Sequence, residues 1–146
     1  MPTFDPASFR DPSGRVLHHE GRVFRTISPR AVERFEFVRQ TRLFEDFAEN
    51  GKILPIWQVE NAEAGNPHGA SLVLETNPLP FVFYPFEWCF DALKAAALLH
   101  LDIHLEALSR GITMSDASAY NVQFIGSKPV FIDHLSFQPY VENEIW

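Results

Sequence analysis

The stretch from Ala92 to Asp133 constrains the fold more than any other part of the chain. Ala92 to Arg110 carries Leu98, Leu99, Leu101, Leu105 and Leu108 at helical spacings, with Gly111 just past the end. Ser115-Asp-Ala-Ser-Ala-Tyr-Asn-Val-Gln-Phe124 follows, and then Pro129-Val-Phe-Ile-Asp133 after a Gly126-Ser127 turn. The pattern predicts a long helix capped by Asp91, apolar on much of its circumference and therefore buried. It then predicts a polar loop holding Asp116 and Asn121, a strand at Val122 to Ile125, and a strand at Pro129 to Ile132 that ends on a second carboxylate.

The first half reads as a small β-rich unit with one helix. Residues 1 to 13 are rich in Pro and Asp and are expected to be an irregular arm. Arg15 to His18 and Arg22 to Ile27 flank His19-Glu20-Gly21, which predicts a hairpin. Ser28-Pro29 opens a helix, with Ser as N-cap and Pro at its first position, and Asn50-Gly51 ends it. Leu54 to Val59 and Ser71 to Glu75 read as strands on either side of a turn-rich loop. The three prolines of Pro78-Leu-Pro-Phe-Val-Phe-Tyr-Pro-Phe-Glu-Trp88 exclude a helix there and leave a stiff aromatic connector.

Composition sets the outer limits. The chain has 146 residues, 46% of them hydrophobic, enough for a genuine core. A net charge of −7 argues against a broad nucleic-acid or anionic-membrane surface. A single cysteine, Cys89, rules out an internal disulfide and fits a reducing compartment. No apolar run is long enough to span a membrane, and the N-terminus does not read as a secretory signal, so the expected location is cytoplasmic. The chain stops on Trp146 with no polar tail, which reads as a fragment of a longer protein.

The helix, the Asp–Asn loop and the Asp-ended hairpin together resemble the catalytic and metal loops of kinase-like phosphotransferases. In that chemistry one carboxylate orients the acceptor hydroxyl, while an amide and a second carboxylate hold magnesium. Asp116 is the candidate base, and Asn121 and Asp133 are the candidate Mg²⁺ ligands. Arg25, on the strand where a phosphate-binding Lys is expected, pairs in this reading with Glu33 or Glu36 of the next helix, and Arg25–Glu36 is the candidate phosphate-side pair. Several parts are missing. Met114 stands where a His is expected, no G-x-G-x-x-G occurs, and Asp133-His134-Leu135 departs from Asp-Phe-Gly. Each residue also has a plainer use. Asp and Asn favour turns, an Asp can cap the turn that follows it, and Arg25 can be an edge-strand Arg in water. The aromatic strip from Phe81 to Phe90 can stack an adenine or form a core seam. His100 and His104 share a helix face at zinc-binding spacing, but no Glu adjoins the first His and no third ligand can be named.

Longer stretches resemble a known bacterial family. They are Phe4-Asp-Pro-Ala-Ser-Phe-Arg-Asp-Pro-Ser-Gly-Arg-Val16, Glu20-Gly-Arg-Val-Phe-Arg25, Phe83-Tyr-Pro-Phe-Glu-Trp88, Leu93-Lys-Ala-Ala-Ala-Leu-Leu-His-Leu101, Asp116-Ala-Ser-Ala-Tyr-Asn-Val-Gln-Phe124, Pro129-Val-Phe-Ile-Asp133 and Leu135-Ser-Phe137. They look like the N-terminal region of S-adenosylmethionine-dependent methyltransferases related to rhizobial nodulation proteins. The resemblance implies that a methyltransferase domain follows this region and is the natural partner of the chain. It also implies that S-adenosylmethionine binds there, since no Gly-rich turn for that cofactor is visible in these 146 residues.

The expected fold is α+β and kinase-like. An N-terminal arm at 1–13 precedes a small antiparallel β lobe with one helix and an aromatic hinge at 14–88, and the start of a helical lobe occupies 89–146. The expected function is a non-catalytic or weakly nucleotide-binding module that serves a methyltransferase-related protein, with ATP and Mg²⁺ as its ligands if it binds any. The alternatives are an active ATP/Mg-dependent small-molecule phosphotransferase and a purely structural interaction domain.

Overall fold

The computed structural model describes residues 2–9 and 11–143. The end of the chain at Trp146 lies outside the described residues. The fold is α+β and divides into two compact units, Met1–Glu33 with Pro55–Pro78, and Arg34–Leu54 with Leu79–Trp146.

The first unit is built on one five-stranded antiparallel sheet. Its strands are β1 (Thr3–Phe4), β2 (Val16–His19), β3 (Arg22–Ile27), β4 (Ile56–Val59) and β5 (Leu72–Thr76), in the order β1-β2-β3-β5-β4. The β2–β3 hairpin turns on Glu20 and Gly21, both at positive φ (50° and 76°), a geometry whose twist matches the strands it joins. Leu17, Phe24 and Val73 point to one face and close over Ala64, forming the core of this unit. Within the segment expected to be an irregular arm, residues 3–8 are regular. Thr3 and Phe4 pair with His18 and Leu17, the Asp5 amide donates to the Val16 carbonyl at 2.9 Å, and Asp5 caps a 3-10 turn at Pro6–Ser8. Asp5 and Pro6, read as part of an irregular arm, serve as cap and turn former.

Helix α1 (Pro29–Gln40) starts at the expected Ser-Pro pair, but the helix does not run on to Asn50. It stops at Thr41–Arg42, and α2 (Leu43–Glu49) begins anew. The break is local chemistry. Thr41 turns its hydroxyl back to the Val38 carbonyl at 2.6 Å, and Arg42 takes a left-handed conformation at φ 61°. Apolar spacing alone does not register such a kink.

In the second unit α3 (Phe90–Ser109) packs on β6 (Ile112–Met114) and on the hairpin of β7 (Val122–Ile125) and β8 (Lys128–Phe131), while β6 pairs with β9 (Phe137–Pro139). Cys89, not Asp91, occupies the N-cap position, and Asp91 lies in the first turn, where a carboxylate still faces the positive helix end. The expectation of a deeply buried helix is also corrected. Ala96, Ile103 and Ala107 are buried against the strands, but Leu98, Leu101, Leu105 and Leu108 are exposed. A further layer of rings fills the core: Phe44, Phe47 and Phe131 each approach Phe137, with centroids 5.6, 6.3 and 5.7 Å away. Lys52 reaches Asp102 (2.8 Å) and Glu106 (2.9 Å), and Arg110 reaches Asp46 (2.7 Å), so charged side chains tie α2 and its C-terminal loop to α3. Among the described residues no helix is long and apolar enough to cross a membrane.

Candidate functional site

The loop after β6 and the turn after β8 bring two of the predicted residues together. The backbone amide of Ser115 donates to the Ser136 carbonyl at 2.7 Å, extending the β6–β9 pairing to the start of the loop. A 3-10 turn at Ala119–Asn121 is capped by Ser118 and leads straight into β7. The Ile132 amide donates to the Asn121 carbonyl at 2.8 Å, which aligns the end of that turn with the residue before Asp133.

Asn121 and Asp133 meet side chain to side chain. Asn121 Nδ2 donates to Asp133 Oδ2 at 3.3 Å. Asn121 Oδ1 accepts from the Ser118 backbone amide at 2.8 Å and from the Ser118 hydroxyl at 3.2 Å. Only the amide oxygen can accept from a backbone N–H, so this contact fixes the orientation of the side chain. The Asp133 carboxylate also accepts from Ser136 Oγ at 2.7 Å and from the Leu135 amide at 3.2 Å. Each oxygen of Asp133 therefore faces a donor of the protein, and the oxygen that Asn121 would offer a metal is turned into its own loop.

Asp116 stands apart from this arrangement. It is exposed, sits at positive φ (54°), and has no side-chain hydrogen bond among the described residues. A left-handed backbone on a non-glycine residue is uncommon and costs energy. The phosphate-side candidates each have an ionic partner nearby. Arg25 on β3, in the first unit, contacts Asp11 at 2.7 Å. Glu36 on α1, in the second unit, contacts Arg39 at 2.7 Å.

The segment that replaces Asp-Phe-Gly is firmly held. His134 is buried, and its Nε2 lies 2.8 Å from the Leu54 carbonyl, an acceptor, so that nitrogen carries the proton. Its ring meets the edge of Phe44 at 5.2 Å. Arg34 donates to the Leu135 carbonyl at 3.2 Å. These contacts set His134, Leu135 and Ser136 as a fixed turn.

Sequence reasoning missed Gln123. It is buried on β7, and its carboxamide pairs with both backbone groups of Phe83, Oε1 accepting from the amide at 2.8 Å and Nε2 donating to the carbonyl at 2.9 Å. The available signal was a polar residue between Val122 and Phe124 in an otherwise apolar strand. The aromatic strip that Gln123 anchors is not a buried seam, since Phe81, Phe83, Tyr84, Phe86 and Phe90 are all exposed. Tyr84 and Phe86 stack on one another at 5.5 Å.

The two imidazoles on α3 serve packing. His100 meets the edge of Phe131 at 6.0 Å, and His104 Nε2 lies 3.1 Å from Thr113 Oγ1. Burial lowers the pKa of both, and the neighbouring charge of His104 lowers that of His100 further. Among the described residues no group of three or more His, Cys, Asp or Glu is placed to hold a metal ion.

No protein-family profile matches the chain. The chain is 42% identical over 140 residues to nodulation protein NoeA of Rhizobium meliloti (strain 1021). That match covers 95% of this chain but 29% of the relative, so the chain spans less than a third of that protein's length.

Proposed function

We propose that this chain is a kinase-derived module that has lost phosphotransfer and serves a longer, methyltransferase-related polypeptide. The observation that carries this reading is the Asn121–Asp133 contact, in which the amide oxygen is held by Ser118 and the carboxylate is surrounded by donors. A magnesium site needs both groups to turn oxygen toward one point. Turning Asn121 over would leave the Ser118 amide without its acceptor and set an oxygen against a carboxylate. The element order fits the kinase-like reading: an antiparallel sheet with a helical segment, α1 and α2, after its third strand, an aromatic connector, a long helix, then the loop and the hairpin.

Gln123 adds independent support. An adenine edge recognised by a connector backbone would need a free donor–acceptor pair, and the Phe83 pair is already taken by a carboxamide of the same pattern. S-adenosylmethionine and methyl transfer belong, in this reading, to the parts of the longer polypeptide outside these 146 residues. A cytoplasmic location fits the single exposed thiol of Cys89.

One observation favours an active phosphotransferase. Asp116 is exposed and lacks a side-chain partner among the described residues, as a base awaiting an acceptor hydroxyl would be. The two readings separate in a melting experiment with ATP and MgCl₂. A ligand that binds only the folded form raises the melting temperature. The module reading expects no rise dependent on Mg²⁺ at millimolar ATP and no phosphate transfer. A Mg-dependent rise that disappears in Asp133→Ala, accompanied by phosphate transfer to an acceptor, would overturn it.

A further inference from the structure

The outward side of α3 is apolar along most of the helix. Ala96, Ile103 and Ala107 face the strands of the second unit. At 3.6 residues per turn, Phe90, Leu98, Leu101, Leu105 and Leu108 fall on the other side. Leu98, Leu101 and Leu105 are 57%, 54% and 68% exposed, and Phe90 is 77% exposed. Single exposed leucines are ordinary on a protein surface, whereas a continuous stripe over about five turns of helix marks a contact surface. Lys94 is the one charged residue within the stripe, and Asp91 and Asp102 border it.

Two facts bear on what covers this face. The relative is more than three times as long as the region it shares with this chain, so most of that polypeptide lies outside the match. A second copy of the chain is disfavoured by charge. Each copy carries a net −7, and an antiparallel two-fold helix pair centred on the stripe would bring the Asp91–Asp102 edges together.

We propose that the Phe90–Leu108 face of α3 docks a helix from the part of the longer polypeptide outside these 146 residues. The partner chemistry is an amphipathic helix with an apolar stripe and basic flanks, packed on the α3 leucines by interlocking ridges. This rests on the reading of the chain as a module of a longer protein, but it does not depend on whether nucleotide binds. The Mg–ATP melting experiment and the one below can therefore fail separately.

The experiment is thiol labelling of Leu105→Cys, with Leu101→Cys as a second site, each in a Cys89→Ser background. Both leucines are exposed, so neither substitution empties a core. The probe is a small maleimide. The 146-residue chain and the longer polypeptide that carries it are compared at the same low concentration. The expected result is fast labelling in the short chain and at least about tenfold slower labelling in the longer one, the factor that corresponds to 1.4 kcal/mol of protection. Equal rates in both would overturn the proposal. So would protection in the short chain that grows with its own concentration, because a second copy would then be the occupant.

Discussion

Asn121 offers Asp133 its amide nitrogen, at 3.3 Å, while its oxygen stays with Ser118. The pair is therefore a brace between the loop before β7 and the turn after β8. Asp133 accepts from Asn121 in a partly buried place, and from Leu135 and Ser136 of the turn it caps.

The first prediction concerns that brace. Asp133→Ala should destabilise the chain by about 2 kcal/mol, since hydrogen bonds to a partly buried carboxylate are stronger than neutral ones. Asn121→Ala should cost about 1 to 2 kcal/mol through loss of the loop contact to Ser118. The pair should show a coupling of only about 0.5 to 1 kcal/mol in a double-mutant cycle, because the direct bond is long. Urea denaturation with and without MgCl₂ measures all three. If Asp133→Ala leaves apo stability unchanged, the structural reading of the carboxylate fails.

Much of this brace was legible in the sequence, but not its direction. The order of helix, loop and hairpin followed from apolar spacing and from turn residues such as Gly111 and Gly126. That Asn121 and Asp133 come together followed from the hairpin between them. Which atom of the amide faces the carboxylate depends on the Ser118 backbone three residues earlier, and residue types do not specify it. The burial of α3 was misread for a related reason. A helix that is apolar all round does not declare which side is packed, and the small Ala96 and Ala107 face the strands while the leucines face outward. The pairing of the N-terminal segment was missed because Asp and Pro signal caps and turns as readily as irregular chain.

The break between α1 and α2 yields a second prediction. Arg42 holds φ 61° without a side-chain hydrogen bond among the described residues, and it is exposed. An L-residue in that region carries about 1 to 2 kcal/mol of strain, part of which glycine gives back through its freer unfolded chain. Arg42→Gly should stabilise the chain by roughly 0.5 to 1 kcal/mol. Arg42→Val should destabilise it, because a β-branched residue tolerates this backbone worst. Thermal melts of the two variants should move in opposite directions. A loss in Arg42→Gly would mean that the kink depends on the arginine side chain.

Stability should also respond to pH through α3. Burial lowers the pKa of His100 and His104 below the ordinary value of 6.5, so near that pH the unfolded chain binds more protons than the folded one. Stability then rises with pH in this window. It is fully present above 6.5 and declines as pH falls from 6.5 toward the lowered folded values. The melting temperature should therefore drop between pH 7.5 and pH 5.5. The drop should shrink in a His100→Met, His104→Gln double variant, which keeps the bulk against Phe131 and a hydrogen-bonding group near Thr113. An unchanged slope in that variant would assign the pH response to other groups.

Gln123 carries the last prediction. Its carboxamide satisfies both the amide and the carbonyl of Phe83, and it is buried while doing so. Gln123→Leu should fit the strand and continue its apolar pattern, yet leave two connector backbone groups without partners. Such groups cost about 1 to 3 kcal/mol each when they stay dry, and less when water reaches them. A net loss of about 2 kcal/mol is expected, with faster hydrogen exchange at the Phe83 amide. Gln123→Glu should lose less at the amide, where a carboxylate oxygen still accepts, and more at the carbonyl, where it has nothing to donate. If Gln123→Leu proves as stable as the parent with unchanged exchange at Phe83, the connector is held by other contacts and the carboxamide is incidental.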